Sequence, residues 1–159
     1  GDSRSEAISL SSLGNVYRRK ADFKNALEYH SKAYDMAKEK NYVDLQPGEA
    51  NNIGNVYLDM KDFDKALYYY QMALDLARNI KDLSIEANAL YSIGSSHVHK
   101  GKWIKAIKYY RSALVLARKI GIKRLEHSIL IFYSDVFSGL GLKIIAKKYR
   151  RDADKIFGI

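Results

Sequence analysis

Ile53-Gly54-Asn55-Val56-Tyr57, followed by Asp62-Phe63-Asp64-Lys65-Ala66-Leu67 and Tyr69-Tyr70-Gln71-Met72-Ala73-Leu74, decides the fold because the chain repeats it. Forty residues earlier the same pattern reads Leu13-Gly14-Asn15-Val16-Tyr17, Asp22-Phe23, Ala26-Leu27, Tyr29-His30 and Ala33. Forty residues later it reads Ile93-Gly94-Ser95-Ser96-His97, Lys102-Trp103, Ala106-Ile107, Tyr109-Tyr110 and Ala113-Leu114. The register holds without a gap. A fixed period of this size marks a solenoid, in which each unit leans on the next.

Within each unit the apolar spacing is helical. Leu10, Leu13, Gly14 and Tyr17 fall at i, i+3, i+4 and i+7, one face of a 3.6-residue period. Ala21-Asp22 marks a turn, and Phe23, Ala26, Leu27, His30, Ala33 and Ala37 form the stripe of a second helix. The same reading predicts a linker over 41–46, with Asp44 as N-cap and Pro47 in a first turn. It then predicts helices with Ala50, Ile53, Gly54 and Tyr57 inward, and with Phe63, Ala66, Leu67, Tyr70, Ala73, Leu74 and Ala77 inward. Ser84 is the next predicted N-cap, and Gly101 the next turn. The sixth helix buries Trp103, Ala106, Ile107, Tyr110, Ala113, Leu114 and Ala117. The fourth unit is degenerate: Ser134 replaces the glycine, and Lys143 and Lys147 stand where Phe63 and Leu67 stood. A helix apolar on one side and lysine-rich on the other suits the end of a solenoid.

The fold expected is therefore all-α, one domain of about four antiparallel helix pairs spanning 5–41, 45–81, 85–121 and 125–158. Glycine inside a helix costs about 1 kcal/mol against alanine. Its recurrence at Gly14, Gly54 and Gly94 points to close helix approach, with aromatics at 17, 57, 23, 63 and 103 filling the space beside Ala26, Ala66 and Ala106.

The chain has 159 residues, 47% of them apolar, with one proline and no cysteine. Disulfides and thiolate chemistry are excluded, which fits a reducing compartment. No apolar run approaches the roughly 20 residues of a membrane span, and no signal peptide is present. The sequence reads as cytoplasmic. It begins at a unit boundary on Gly1, as a piece cut from a longer array or as a processing scar. The net charge of +9 is unevenly placed: residues 1–80 hold 11 Lys and Arg against 12 Asp and Glu, residues 81–159 hold 16 against 6. Such asymmetry raises an acidic partner, nucleic acid or an anionic membrane.

The small-gap-large spacing of Leu13-Gly14-Tyr17, then Ala26, His30 and Ala33, resembles the tetratricopeptide repeat, lengthened here to forty residues. Such repeats are similar to those of Pins-type adaptors, kinesin light chains and Rap-type peptide-sensing regulators. The resemblance implies a right-handed superhelix whose groove is lined by the first helix of each pair. Carried over by position, that wall comprises Asn15, Arg18 and Arg19, then Asn52 and Asn55, then Asn88, Tyr91 and Ser95, and finally Phe132. An asparagine amide offers both a donor and an acceptor, so it suits a peptide backbone. Arg18 and Arg19 would favour an acidic segment, and Tyr91 and Phe132 apolar side chains. Asn15 and Asn52 match the asparagines of the carboxylate clamp used by chaperone-tail binders. Ser11, Asn88 and Ser92 replace its basic positions, which tells against that ligand.

Lys102, Lys105, Lys108 and Arg111 line the sixth helix, and Lys147, Lys148, Arg150, Arg151 and Lys155 crowd the eighth. They read chiefly as a solvated outer face and cap; contact with an acidic protein or phosphoprotein is the next alternative, and nucleic acid or a membrane the weaker one. His97 and His30 occupy tyrosine positions of the core, and His97 and His99 are wrongly spaced to share a metal. No phosphate loop, nucleophile motif or zinc signature occurs. The sequence thus implies no enzyme, no cofactor and no metal. It implies a scaffold for a protein or peptide partner, with self-association open. The alternative is a regulatory or sensor segment of a larger protein.

Overall fold

The computed structural model describes residues 2–158, so Gly1, read above as a scar or a boundary, lies outside the described residues. Among these, eight helices follow one another: α1 Ser3–Arg19, α2 Phe23–Glu39, α3 Gln46–Asp59, α4 Phe63–Asn79, α5 Leu83–His99, α6 Trp103–Ile120, α7 Lys123–Gly139 and α8 Lys143–Phe157. They pair as antiparallel hairpins, α1 with α2 through α7 with α8, and the pairs stack. The result is an all-α solenoid.

The turns beat at half the sequence period. A left-handed residue stands every twenty positions: Ala21, Asn41, Lys61 and Lys81, then Gly101, Gly121 and Gly141. Helix starts follow it. Asp22 accepts from the Asn25 backbone N–H, Asp62 from that of Lys65, and Asp82 from those of Ser84 and Ile85. Each supplies an orphan donor of the first turn with an acceptor. Two cap expectations change. Asp82, not Ser84, caps α5 because it precedes the first helical residue. Asp44 does not cap α3, which starts at Gln46 with Leu45 before it. Pro47 lacks an N–H and belongs in a first turn, which holds back the start of α3. Asp44 pairs with Arg4 instead.

Each hairpin is clamped by a stacked pair twelve residues apart. These are Tyr17 on Tyr29, Tyr57 on Tyr69, His97 on Tyr109 and Phe137 on Tyr149, with ring centroids 5.2–5.5 Å apart. The helical glycines admit the partner helix, as expected, through one ring each. A Cβ on Gly54 would lie 2.6 Å from the Tyr70 ring, one on Gly94 2.7 Å from Tyr110, and one on Gly14 2.7 Å from His30. The ring sixteen residues on therefore lies against bare backbone. In the fourth unit Arg150 stands at the ring's position and is exposed, and Ser134 replaces the glycine.

Alanines 26, 66 and 106, with 33, 73 and 113, are fully buried between the helices. Two core expectations fail at the edges. Leu13 is 42% exposed, whereas Ile53 at the same register is buried, because no described helix precedes α1. Trp103 is half-exposed, for a reason that lies in the seam described below.

Candidate peptide-binding wall

α1 approaches α3 directly and α3 approaches α5, while the even-numbered helices do not approach one another comparably. α1, α3 and α5 therefore lie on the inner side of the stack, and α7 follows them in the alternation of the chain. Every sequence-predicted site residue is on one of these four helices.

The first end of the wall is cross-linked. Arg18 donates to Asp59 across the first seam at 2.9 Å, while Arg19 is exposed and unpaired among the described residues. Arg19 is thus the freer cation of the two. The Asn52 amide N–H groups reach the Ser11 hydroxyl and the Glu49 carboxylate, both at 3.4 Å. Beneath them, buried His30 places Nδ1 3.0 Å from the Glu49 carboxylate. Sequence reasoning placed His30 in the core but had no signal for this partner.

Asn15, Asn55 and Ser95 share one register on successive odd helices, each half-buried. The Asn55 carbonyl oxygen accepts from the Tyr70 hydroxyl at 2.7 Å. Burial pushes the phenols of Tyr70 and Tyr110 well above the ordinary value, and Ser95 faces Tyr110. Both rings stay neutral donors at any physiological pH. Asn88 is exposed and bonds the Ser84 carbonyl of its own helix at 2.9 Å.

The far end is aromatic. Tyr91 packs on Tyr110 at 5.1 Å, and burial raises its hydroxyl pKa. Phe132 meets Tyr110 edge-on at 4.3 Å and lies 6.5 Å from Trp103. Tyr133, behind it, is pushed up to about 12 by burial. These rings join the third and fourth units while leaving part of Tyr91 and Phe132 accessible.

Tyr109, Tyr110 and Tyr149, beside the basic runs, are all engaged in ring packing. They present no stacking platform of the kind single-stranded nucleic acid uses. No cluster of potential metal ligands occurs among the described residues, and no described helix is long and apolar enough to cross a membrane.

Residues 48–119 match the family model described as tetratricopeptide repeat, and residues 9–41 match a second model of the same description. No curated protein sequence matches the chain. Among solved structures, aspartyl phosphate phosphatase F from Bacillus subtilis aligns with a TM-score of 0.91 at 19% identity, over 98% of this chain and 41% of its own. A Rap protein complexed with competence and sporulation factor aligns at 0.83 and 18% identity, over 99% and 45%. A signal transduction ATPase with a tetratricopeptide repeat sensor, from Pyrococcus horikoshii, aligns at 0.82 and 24% identity, over 99% and 24%. The chain spans less than half the length of each of these relatives, and at these identities the likeness is one of fold. With the forty-residue period, the glycine-to-ring contacts and two family-model matches that together span its first three units, the chain belongs to the tetratricopeptide repeat family.

Proposed function

We propose that this chain is a protein-interaction module that holds an extended peptide or a partner helix along the wall of odd-numbered helices. The observation that carries the reading is the register of Asn15, Asn55 and Ser95, one polar side chain per unit on the inner side. The Tyr70 hydroxyl holds the Asn55 carbonyl oxygen, so the amide N–H groups are the part left for a ligand carbonyl. Asn52 and Asn88 extend the row. Arg19 favours an acidic residue at the first end, and Tyr91 and Phe132 offer apolar contact at the other. The reading assigns no catalytic step and no cofactor.

The test is capture of partners with the purified protein, followed by affinity measurement with variants. Asn52→Ala with Asn55→Ala removes two groups able to hydrogen-bond a ligand and should weaken binding by about 1–3 kcal/mol. That variant also leaves the Tyr70 hydroxyl without its partner. Tyr70→Phe supplies the control, since it breaks the same internal bond and keeps Asn55. Weakening by the asparagine variant but not by the control supports the wall; equal affinity in all three removes it.

A second reading draws on the relatives, one of which carries its repeats as a sensor. In it the chain is the sensing segment of a larger regulatory protein, and ligand binding changes how the units stack.

A further inference from the structure

The seams between units are not equivalent. Between the second and third, Phe63 stacks on His99 with centroids 5.3 Å apart, and Asp64 forms an ion pair with Lys100. Forty residues on, the same positions read Trp103, Gly139, Ile104 and Leu140. The histidine that covered the ring has become glycine, and the ion pair has become two aliphatic side chains. Trp103 leans toward Phe132 instead, and α6 packs less closely on α7 than α4 does on α5. Ile104 is left 87% exposed, Leu140 66% and Trp103 50%. The seam opens into a cleft of about 620 Å³ walled by Trp103, Ile104, Ile107, Phe132, Val136 and Leu140, with Asp135 as its one charged group. That volume is in the range of ligand pockets, about 300–1,000 Å³.

The surroundings select the occupant. Lys108 lies one turn along α6 from Ile104 on the same face, Lys102 precedes Trp103 at the start of α6, and Lys143 follows Leu140 across the turn. Lys102, Lys108 and Lys143 are exposed and make no ion pair among the described residues. A second copy docking through this same face would set its own lysines against these and be repelled. Nucleic acid would find apolar walls and a carboxylate. We propose that the cleft docks an acidic amphipathic segment of a partner protein, which inserts large apolar side chains between α6 and α7 and sets Asp or Glu against these lysines. Desolvated aromatic and aliphatic anchors of this kind concentrate binding energy, and the charged rim sets orientation and on-rate. The inference rests on the reading of the chain as an interaction module, but not on the asparagine row.

Trp103 is the only tryptophan in the sequence, so its emission reports the cleft directly. The probe is a synthetic amphipathic peptide of about four helical turns, with Leu and Phe on one face and Glu elsewhere. Two counterparts carry Lys in place of Glu, or Ala in place of Leu and Phe. The acidic apolar peptide should shift Trp103 emission to the blue and saturate, binding at least about tenfold more tightly than either counterpart. Ile104→Asp with Leu140→Lys re-creates the pair that closes the neighbouring seam. It changes only exposed side chains, and it should weaken the acidic peptide by at least about tenfold with unchanged helicity and Tm. Asn52→Ala with Asn55→Ala should leave this binding intact, which separates failure of the cleft from failure of the wall. The proposal is overturned by the absence of a saturable shift, by equal binding of all three peptides, or by indifference to the Ile104/Leu140 variant. An emission shift that grows with protein concentration alone would also overturn it, naming a second copy as the occupant.

Discussion

The sign of a glycine substitution here depends on what the new methyl group meets. On Gly54 it meets the Tyr70 ring at 2.6 Å, and that ring is fully buried and tied to Asn55. Overpacking of about 1–3 kcal/mol then outweighs the helix-propensity gain of about 1 kcal/mol. On Gly48, in the first turn of α3, it meets nothing within 4 Å. Chemical denaturation should show Gly54→Ala less stable than the parent and Gly48→Ala more stable by about 0.5–1 kcal/mol. His97 gives a second residue-scale test. Burial, then the positive charges of Lys105, Lys102 and Lys100, lowers its pKa from the ordinary histidine value of about 6.5. Below that pH the unfolded chain takes up a proton that the folded one resists. Stability should therefore fall as pH drops through 6.5 and level off below the folded value. His97→Tyr, the residue of the first two units at this position, should remove that part of the pH dependence. The sequence revealed that His97 and the glycines sat at core positions. It did not reveal that each glycine faces the ring sixteen residues on, because that pairing depends on how the two helices cross.

At the scale of the helix, the two halves of the chain are finished differently. Asp22, Asp62 and Asp82 cap their helices, while Lys102, Ile122 and Leu142 at the corresponding places make no side-chain cap. The backbone at Lys102, with φ −91° and ψ 63°, is nearly that of Asp62, with φ −86° and ψ 75°. Lys102→Asp should therefore add about 1 kcal/mol, and Asp22→Ala should remove about as much. Thermal melts would read each as a shift of about 2–4 °C in opposite directions. Helices and their faces were legible from periodicity alone. Their exact starts were less so, since Asp44, Ser84 and Asp82 are all acceptable caps by residue type. Pro47 and the left-handed residue at each turn decide among them, and four of those residues are not glycine.

Over the whole molecule, the forty-residue repeat made the solenoid legible before any coordinates. The wall is a different matter. Its residues could be placed on the inner helices by register, but Arg18 is bound to Asp59, and Asn52 and Asn55 have partners within the protein. Two of these contacts, Arg18 with Asp59 and Asn52 with Ser11, link side chains 41 residues apart and depend on how closely units stack. The cleft was less visible still, because Ile104 and Leu140 each look ordinary until compared with Asp64 and Lys100 one unit earlier. The inner wall is the proposed binding surface. Its most direct measurement is an NMR titration of the isotope-labelled protein with a captured partner, following the side-chain amide signals of the asparagines. The account predicts that the signals of Asn15, Asn52, Asn55 and Asn88 move together and saturate, while those of Asn25 and Asn79 on the even-numbered helices stay in place. Shifts confined to Asn25 and Asn79, with the inner-wall amides unmoved, would contradict it.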